Sequence, residues 1–418
     1  MMLHRTFLLK AAIVFLSMAW PLDILLFRRS GYLLFGVFLL LYLSLGAASI
    51  PRFIQLYLLV FGVAFALQSA LLSLDWSTAL LAMSAYVAVP LVTGSISLNH
   101  RKLLEVLGIF KTIAVIYFIG LLLQFAGITN EILVFQLTET YGAVHQRFTS
   151  FSGNPLLLGM YSFLAITVCL VEYQYTKSTS RRLWLLAILL MATTCLYFSY
   201  ARRYYVLALL IGAYFILNRS KPRTYFAYAV LVGLVSALLV MVLGSATVLE
   251  RLHTSLDFIE DPGNVSRVLL WLSAMNIIAE HPLLGLGIGS EGSVGKSNEE
   301  LLARLEEGTV AEMYYLKVGV EFGIFVAAFF VYWMSHLVSK SSSASLARMH
   351  LFRTVPLLGA IESVMGGALG SPFFAFPFWL VVTQMLRQGH ERDVKAVGTL
   401  HPQSDSPPDS PTSVRSGV

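Results

Sequence analysis

Charge is what this chain has least of. Asp, Glu, Lys and Arg make up 12% of its 418 residues, against 57% hydrophobic residues. No soluble domain hides that much apolar side chain. Cysteine is nearly absent. Cys169 and Cys195 both lie inside apolar runs and read as core residues without a disulfide or metal role. Zinc-ligand spacing, a phosphate-cradling loop, an Asp-x-Asp pair and a nucleophile elbow are all missing, so nothing suggests metal dependence or those classes of enzyme. No cofactor and no nucleic-acid partner is expected. No small-residue cleavage site follows His4, Arg5 and Lys10, so the first apolar run reads as a span rather than a removed signal peptide.

Long apolar runs are what the chain does have. A helix needs about 20 apolar residues to cross the hydrocarbon. Runs of that kind stand near 7–27, 31–49, 53–73, 77–94, 106–127, 154–173, 183–200, 204–218, 225–247, 313–337, 352–369 and 373–386. Barrel strands alternate rather than run. The expected fold is therefore all-α, a polytopic membrane bundle of about 12 transmembrane helices. It fills residues 1–387, with a disordered cytoplasmic tail at 388–418. The last two runs, interrupted by Gly366, Gly367, Gly370 and Pro372, form two short spans or one kinked unit.

Basic residues orient the bundle. With both termini in the cytoplasm, most Lys and Arg fall on inner loops. Arg28 and Arg29 oppose the rule, and several other outer arginines sit in motifs. A cation kept on the disfavoured side suggests a task there. The large outer loop, 248–312, holds eleven acids and four bases in a chain of net charge +6. Asn264 suits the cap of a helix that His281-Pro282 ends. Ser297-x-x-Glu300 opens a second helix, 298–308.

Four blocks in the outer segments are candidates for chemistry. Arg147-Phe-Thr-Ser-Phe-Ser-Gly-Asn154-Pro is an arginine beside aromatics and a tight turn. It suits an anionic, sugar-bearing ligand, or equally a lipid phosphate. Arg202 and Arg203 follow Phe-Ser-Tyr-Ala in a hairpin too short to leave the membrane surface. Guanidinium forks grip phosphate in two-point fashion, while interfacial Arg and Tyr also anchor helix ends. Arg267 and Trp271 share a helix face with Ala274 and Ile278. They read as a phosphate ligand and a sugar platform, or as an internal cation–π pair. Gly285, Gly287 and Gly289 follow His281 and permit close backbone approach. Last, Glu312 and Tyr315 share a face. Glu312 suits a general base for a sugar hydroxyl, yet Thr309-x-x-Glu312 is also a capping box, and the capping role is the favoured reading.

Taken in order, these blocks resemble the O-antigen ligase and polymerase superfamily. Arg147–Pro155 resembles its Arg…Gly-Asn-Pro block. Ser199–Arg202 resembles its Ser-Arg block, and Arg267–Gly289 its Arg…Trp…His-Pro-x-x-Gly-x-Gly block. Glu312–Gly323 resembles the block after the large periplasmic loop. The likeness covers roughly residues 100–340. It implies a helical, GT-C-like glycosyltransferase of the bacterial inner membrane with a periplasmic active site. It also implies a polyprenyl-diphosphate-linked glycan as donor, no metal, and arginines on the diphosphate. Carried over, Arg147, Arg202 and Arg267 bind the leaving group. Membrane lipids surround it, and a chain-length regulator is the protein partner to look for. Ligases of the family carry a histidine before the late span; here that position reads Ala311-Glu312-Met313. The expectation is therefore a polysaccharide polymerase, with ligase as the near alternative. A non-enzymatic flippase is the more distant one, since a flippase needs charges inside its spans and these spans read as nearly charge-free.

Overall fold

The computed structural model describes residues 2–27, 29–72, 74, 76–140, 143–217, 262–290, 313–342 and 350–398. The expected span at 225–247, the helix at 298–308, Glu312 and residues beyond 398 lie outside the described residues.

Within them the chain is a helical bundle. Among the described residues five helices are long and apolar enough to cross a membrane, or six if one bent pair counts as a single span. The bent pair is α1 (Met2–Ser17) and α2 (Ala19–Leu25), which meet at 73°. Pro21 explains the bend. It has no N–H for the Ser17 carbonyl four residues back, and Tyr117 Oη donates to that carbonyl instead, at 2.6 Å. Next come α3 (Ser30–Ser44), α4 (Arg52–Leu71), α5 (Trp76–Met83), a π-helical turn at Ser84–Ala88, and α6 (Val89–Gly94). The π turn precedes Pro90, which cannot donate to Tyr86, and Val89 N–H reaches back to the Ser84 carbonyl.

A near-continuous helix follows, α7 (His100–Leu107) and α8 (Ile109–Phe125). Then come α9 (Pro155–Tyr175), α10 (Thr179–Ser199) and α11 (Arg202–Leu217). The most enclosed span is α9: its apolar window is 72% buried, against 28–44% in the other four. It is the post around which α8, α10 and α11 pack.

Four findings differ from the sequence reading. Between α8 and α9 the chain forms an antiparallel hairpin, β1 (Phe135–Thr140) and β2 (Ala143–Phe148), with Phe135 opposite Phe148. The fold is thus not purely helical. Each strand carries β-favouring aromatic or branched residues, a signal too short to stand out beside 20-residue runs. Second, α12 (Pro262–Glu280) begins before Asn264, so Asn264 lies inside the helix rather than at its cap. Third, the run 313–337 is two helices, α13 (Tyr314–Phe322) and α14 (Ile324–Ser341), broken at Gly323 with φ 84°. Fourth, α15 (His350–Met365) is followed by α16 (Pro372–Gly398), which continues past position 388, where the tail was expected to begin.

The core is aromatic where α4, the π turn, α13 and α14 meet. Rings of Tyr57, Phe61, Tyr86, Phe322, Phe330 and Trp333 are all below 2% exposed and contact one another at centroid distances of 4.5–6.5 Å. Outward faces carry exposed Leu33, Leu40, Leu59, Leu80 and Phe325. An apolar exterior of this kind on spanning helices is that of a membrane protein.

Candidate functional site

The His281–Gly289 segment docks onto the α13–α14 break. Leu286 N–H donates to the Val320 carbonyl at 2.8 Å, and Ile324 N–H to the Pro282 carbonyl at 2.8 Å. Gly285, Gly287 and Gly289 have φ of 64°, 102° and 81°. A side chain at Gly285 would run into the Val320 backbone, and one at Gly323 would stand 2.6 Å from the Pro282 and Leu283 carbonyls. Glycine is what lets the two backbones lie against each other. Gln68 of α4 fastens the joint: Nε2 donates to the Leu284 and Glu321 carbonyls at 2.7 and 2.6 Å, and Oε1 accepts from Ile288 N–H at 3.1 Å. His281 is exposed just past the end of α12.

Below the joint lies a buried polar cluster. Glu321 is fully buried. Tyr86 Oη donates to its Oε2 at 2.6 Å, and Lys317 Nζ stands 3.6 Å from Oε1. A second buried carboxylate, Glu362 of α15, stands 3.6 Å from Arg203 Nη1. Arg203 also lies over the Tyr204 ring at 5.0 Å and packs on Gly366, whose carbonyl accepts from Tyr314 N–H at 3.2 Å. The expected spans, read as nearly charge-free, therefore carry charge at Lys317 and buried charge at Glu321 and Glu362. The acids are short of water but matched by cations from neighbouring helices.

The other expected residues divide. Arg147 uses Nε and Nη2 on the Ser199 carbonyl, at 3.3 and 3.2 Å, and so closes the C-terminal end of α10. Asn154 Oδ1 accepts from Leu156 N–H at 2.8 Å and caps α9. Tyr315 donates to the Ala360 carbonyl at 3.4 Å. On α12, Ala274 and Ile277 are buried against Val320, so part of the face shared with Trp271 is helix packing. Arg202 and Arg267 lie at the start of α11 and within α12.

Beside the joint is a cavity of about 780 Å³. Arg29, Asn154, Gly289, Lys317 and Ser371 line it, with Tyr32, Phe35 and Leu39 of α3, Tyr86, Val89 and Val92, and Phe373 and Phe376 of α16. Of the expected residues it gathers Asn154 and Gly289. Arg203 is connected through Gly366 and Tyr314, and Gly370 of the lining lies against Tyr314 and Lys317. Arg29, Lys317, Glu321 and Gln68 had not been read from the sequence as site residues. Arg29 had left one mark, its expected place on the side that basic residues avoid.

A match to known proteins falls on this region. Residues 186–331, about a third of the chain, match the family model described as O-antigen ligase. No curated protein matches the chain. The matched stretch contains α10 from residue 186 onward, the Arg202-Arg203 pair, the docked His281–Gly289 segment and its seat on α13. It lies within the 100–340 reading, excludes the Arg147–Pro155 block, and bears out the chain's resemblance to the O-antigen ligase/polymerase superfamily.

Proposed function

We propose that the chain is a membrane glycosyltransferase that polymerises polyprenyl-diphosphate-linked oligosaccharide repeat units at the periplasmic face of the bacterial inner membrane. The cavity carries this reading. Its lining includes Arg29, Lys317 and Asn154, suited to a diphosphate and a sugar. Its apolar wall from Tyr32 to Leu39 follows α3 for about 10 Å at 1.5 Å per residue, suited to an isoprenoid. A charged head on an apolar tail is the form of a lipid-linked donor.

In the reaction, the donor's anomeric carbon–oxygen bond breaks toward the diphosphate, which leaves with the electron pair. The acceptor hydroxyl forms the new glycosidic bond and gives up its proton. Cations aimed at the leaving oxygens stabilise the charge as it develops. Lys317 is held for this by Glu321, and Glu321 by Tyr86. Arg147, Arg202 and Arg267 belong to the same proposal, without a metal. Trp271 is the sugar platform and Glu312 the candidate base. Ala311-Glu312-Met313, with no histidine, favours polymerase over ligase.

The test is a deletion strain complemented with variants and examined by gel for lipid-linked glycan. Lys317→Ala is expected to lower polymer about a hundredfold while protein stays in the membrane. Arg147→Ala, Arg202→Ala and Arg267→Ala should each abolish polymer, with poor rescue by Lys. In the deletion strain, single repeat units should accumulate on the carrier lipid. Long chains there, with none transferred onward, would make the protein a ligase. Normal polymer in all four variants would end the diphosphate reading.

A further inference from the structure

A pair of clefts lies at the far end of α9. Asn154 and Leu157, at the start of that helix, line the cavity above; Glu172 and Tyr175, near its end, line these. The helical rise from Leu157 to Tyr175 separates the two places by roughly 27 Å, close to the thickness of a hydrocarbon core. The clefts, of about 470 and 660 Å³, share Glu105, Glu172 and Arg181.

Five cations line the pair, Lys10, Arg101, Lys111, Lys177 and Arg181, against the two acids. The acids position some of the cations. Lys10 Nζ is 2.9 Å from Glu105, and Lys111 Nζ is 2.6 Å from Glu172 Oε1. Glu172 is nine-tenths buried. Its Oε2 stands 3.5 Å from Arg181 Nη2 and accepts no hydrogen bond among the described residues. Arg101, Lys177 and Arg181 are exposed. Ser178, the cap of α10, lines the larger cleft, so the positive end of that helix dipole faces it too. The smaller cleft also has an apolar lining of Ile109, Val115, exposed Trp184 and buried Ile188.

We propose that these clefts hold the phosphate headgroup of an anionic phospholipid from the leaflet opposite the candidate active site. Arg101, Lys177, Arg181 and the first turn of α10 take the phosphate. The acyl chain lies on Trp184 and Ile188. Basic recesses between spanning helices fit anionic headgroups in this way. A free phosphate would leave the apolar wall uncovered, which favours the lipid. The proposal stands independently of the glycosyltransferase reading.

The experiment is native mass spectrometry of the full chain in detergent, with phosphatidylglycerol or phosphatidylcholine of the same acyl chains. Phosphatidylglycerol should be retained about tenfold better. The triple variant R101Q/K177Q/R181Q should lose that preference, whereas Arg52→Gln, an exposed arginine outside the clefts, should keep it. Equal retention by wild type and triple variant would overturn the proposal. So would displacement of phosphatidylglycerol by inorganic phosphate, which would make the ligand a free anion. All three substituted side chains are exposed; should the triple variant not fold, Arg181→Gln alone decides, with a severalfold drop supporting the site and no drop refuting it.

Discussion

Gln68 satisfies three backbone groups that no helix satisfies: two carbonyls and one amide, from segments 216 to 253 residues away. It is fully buried, so its loss strands those groups away from water. Each stranded group costs about 1–3 kcal/mol. Gln68→Leu is expected to destabilise the protein by roughly 3 kcal/mol or more, read as a fall in unfolding temperature in detergent; an unchanged temperature would show that the joint does not depend on it. The glycines it fastens differ among themselves. A methyl at Gly285 meets the Val320 carbonyl, which is backbone, whereas one at Gly287 stands 2.7 Å from Leu74 Cδ2, a side-chain end that can turn aside. Gly285→Ala should therefore lower folded yield far more than Gly287→Ala, and the reverse order would contradict the docked geometry. The glycines were legible in the sequence because positive φ selects for glycine. Gln68 was not, because one glutamine in an apolar run shows nothing of partners more than 200 residues along the chain.

At the scale of elements, α11 and α15 are joined by Arg203 and Glu362, the acid fully buried and the arginine side chain 22% exposed. Removing one partner of a buried pair leaves an uncompensated charge, at a cost of about 3 kcal/mol. Arg203→Ala should thus lower thermal stability as well as activity, and the double change R203M/E362Q should recover most of the stability but not the activity. Stability unchanged in Arg203→Ala, with activity lost, would make Arg203 a ligand and not a brace. The sequence reading offered this arginine as a phosphate ligand or a helix anchor; its pairing with Glu362 was out of view because that acid lies in another helix, far along the chain. Helix breaks show a similar division. Gly366, Gly370 and Pro372 stand together and announced the turn before α16. Gly323, with Gly319 four residues before it and no proline beside it, gave no warning that α13 ends there. Its role is visible only once the Pro282 and Leu283 carbonyls are seen beside it. The cavity was illegible for the same reason, since its wall is assembled from α3, the π turn, α6 and α16.

Across the whole molecule, polar chemistry concentrates at two ends of a largely apolar bundle. Arg29, Lys317, Glu321, Arg203 and the docked glycine segment gather at one; Lys10, Glu105, Lys111, Glu172 and Arg181 gather at the other. In the proposed orientation the described basic residues Arg101, Lys177 and Arg181 of the second end face the cytoplasm, and the first end faces outward. Arg29 lines the cavity at the first end, and in that proposed orientation it stands on the side that basic residues avoid. The orientation can be tested directly by cysteine labelling, and the protein suits the test. Cys169 and Cys195 are both buried, so an impermeant maleimide should find little background in the natural chain. With the 248–312 loop outside and the tail inside, Ser293→Cys should label in intact spheroplasts, and Ser406→Cys only after the membrane is opened. Both variants should label equally in detergent, which controls for accessibility. Labelling of Ser406→Cys but not Ser293→Cys in intact cells would invert the molecule. The cavity would then face the cytoplasm, and a periplasmic polymerase would be untenable.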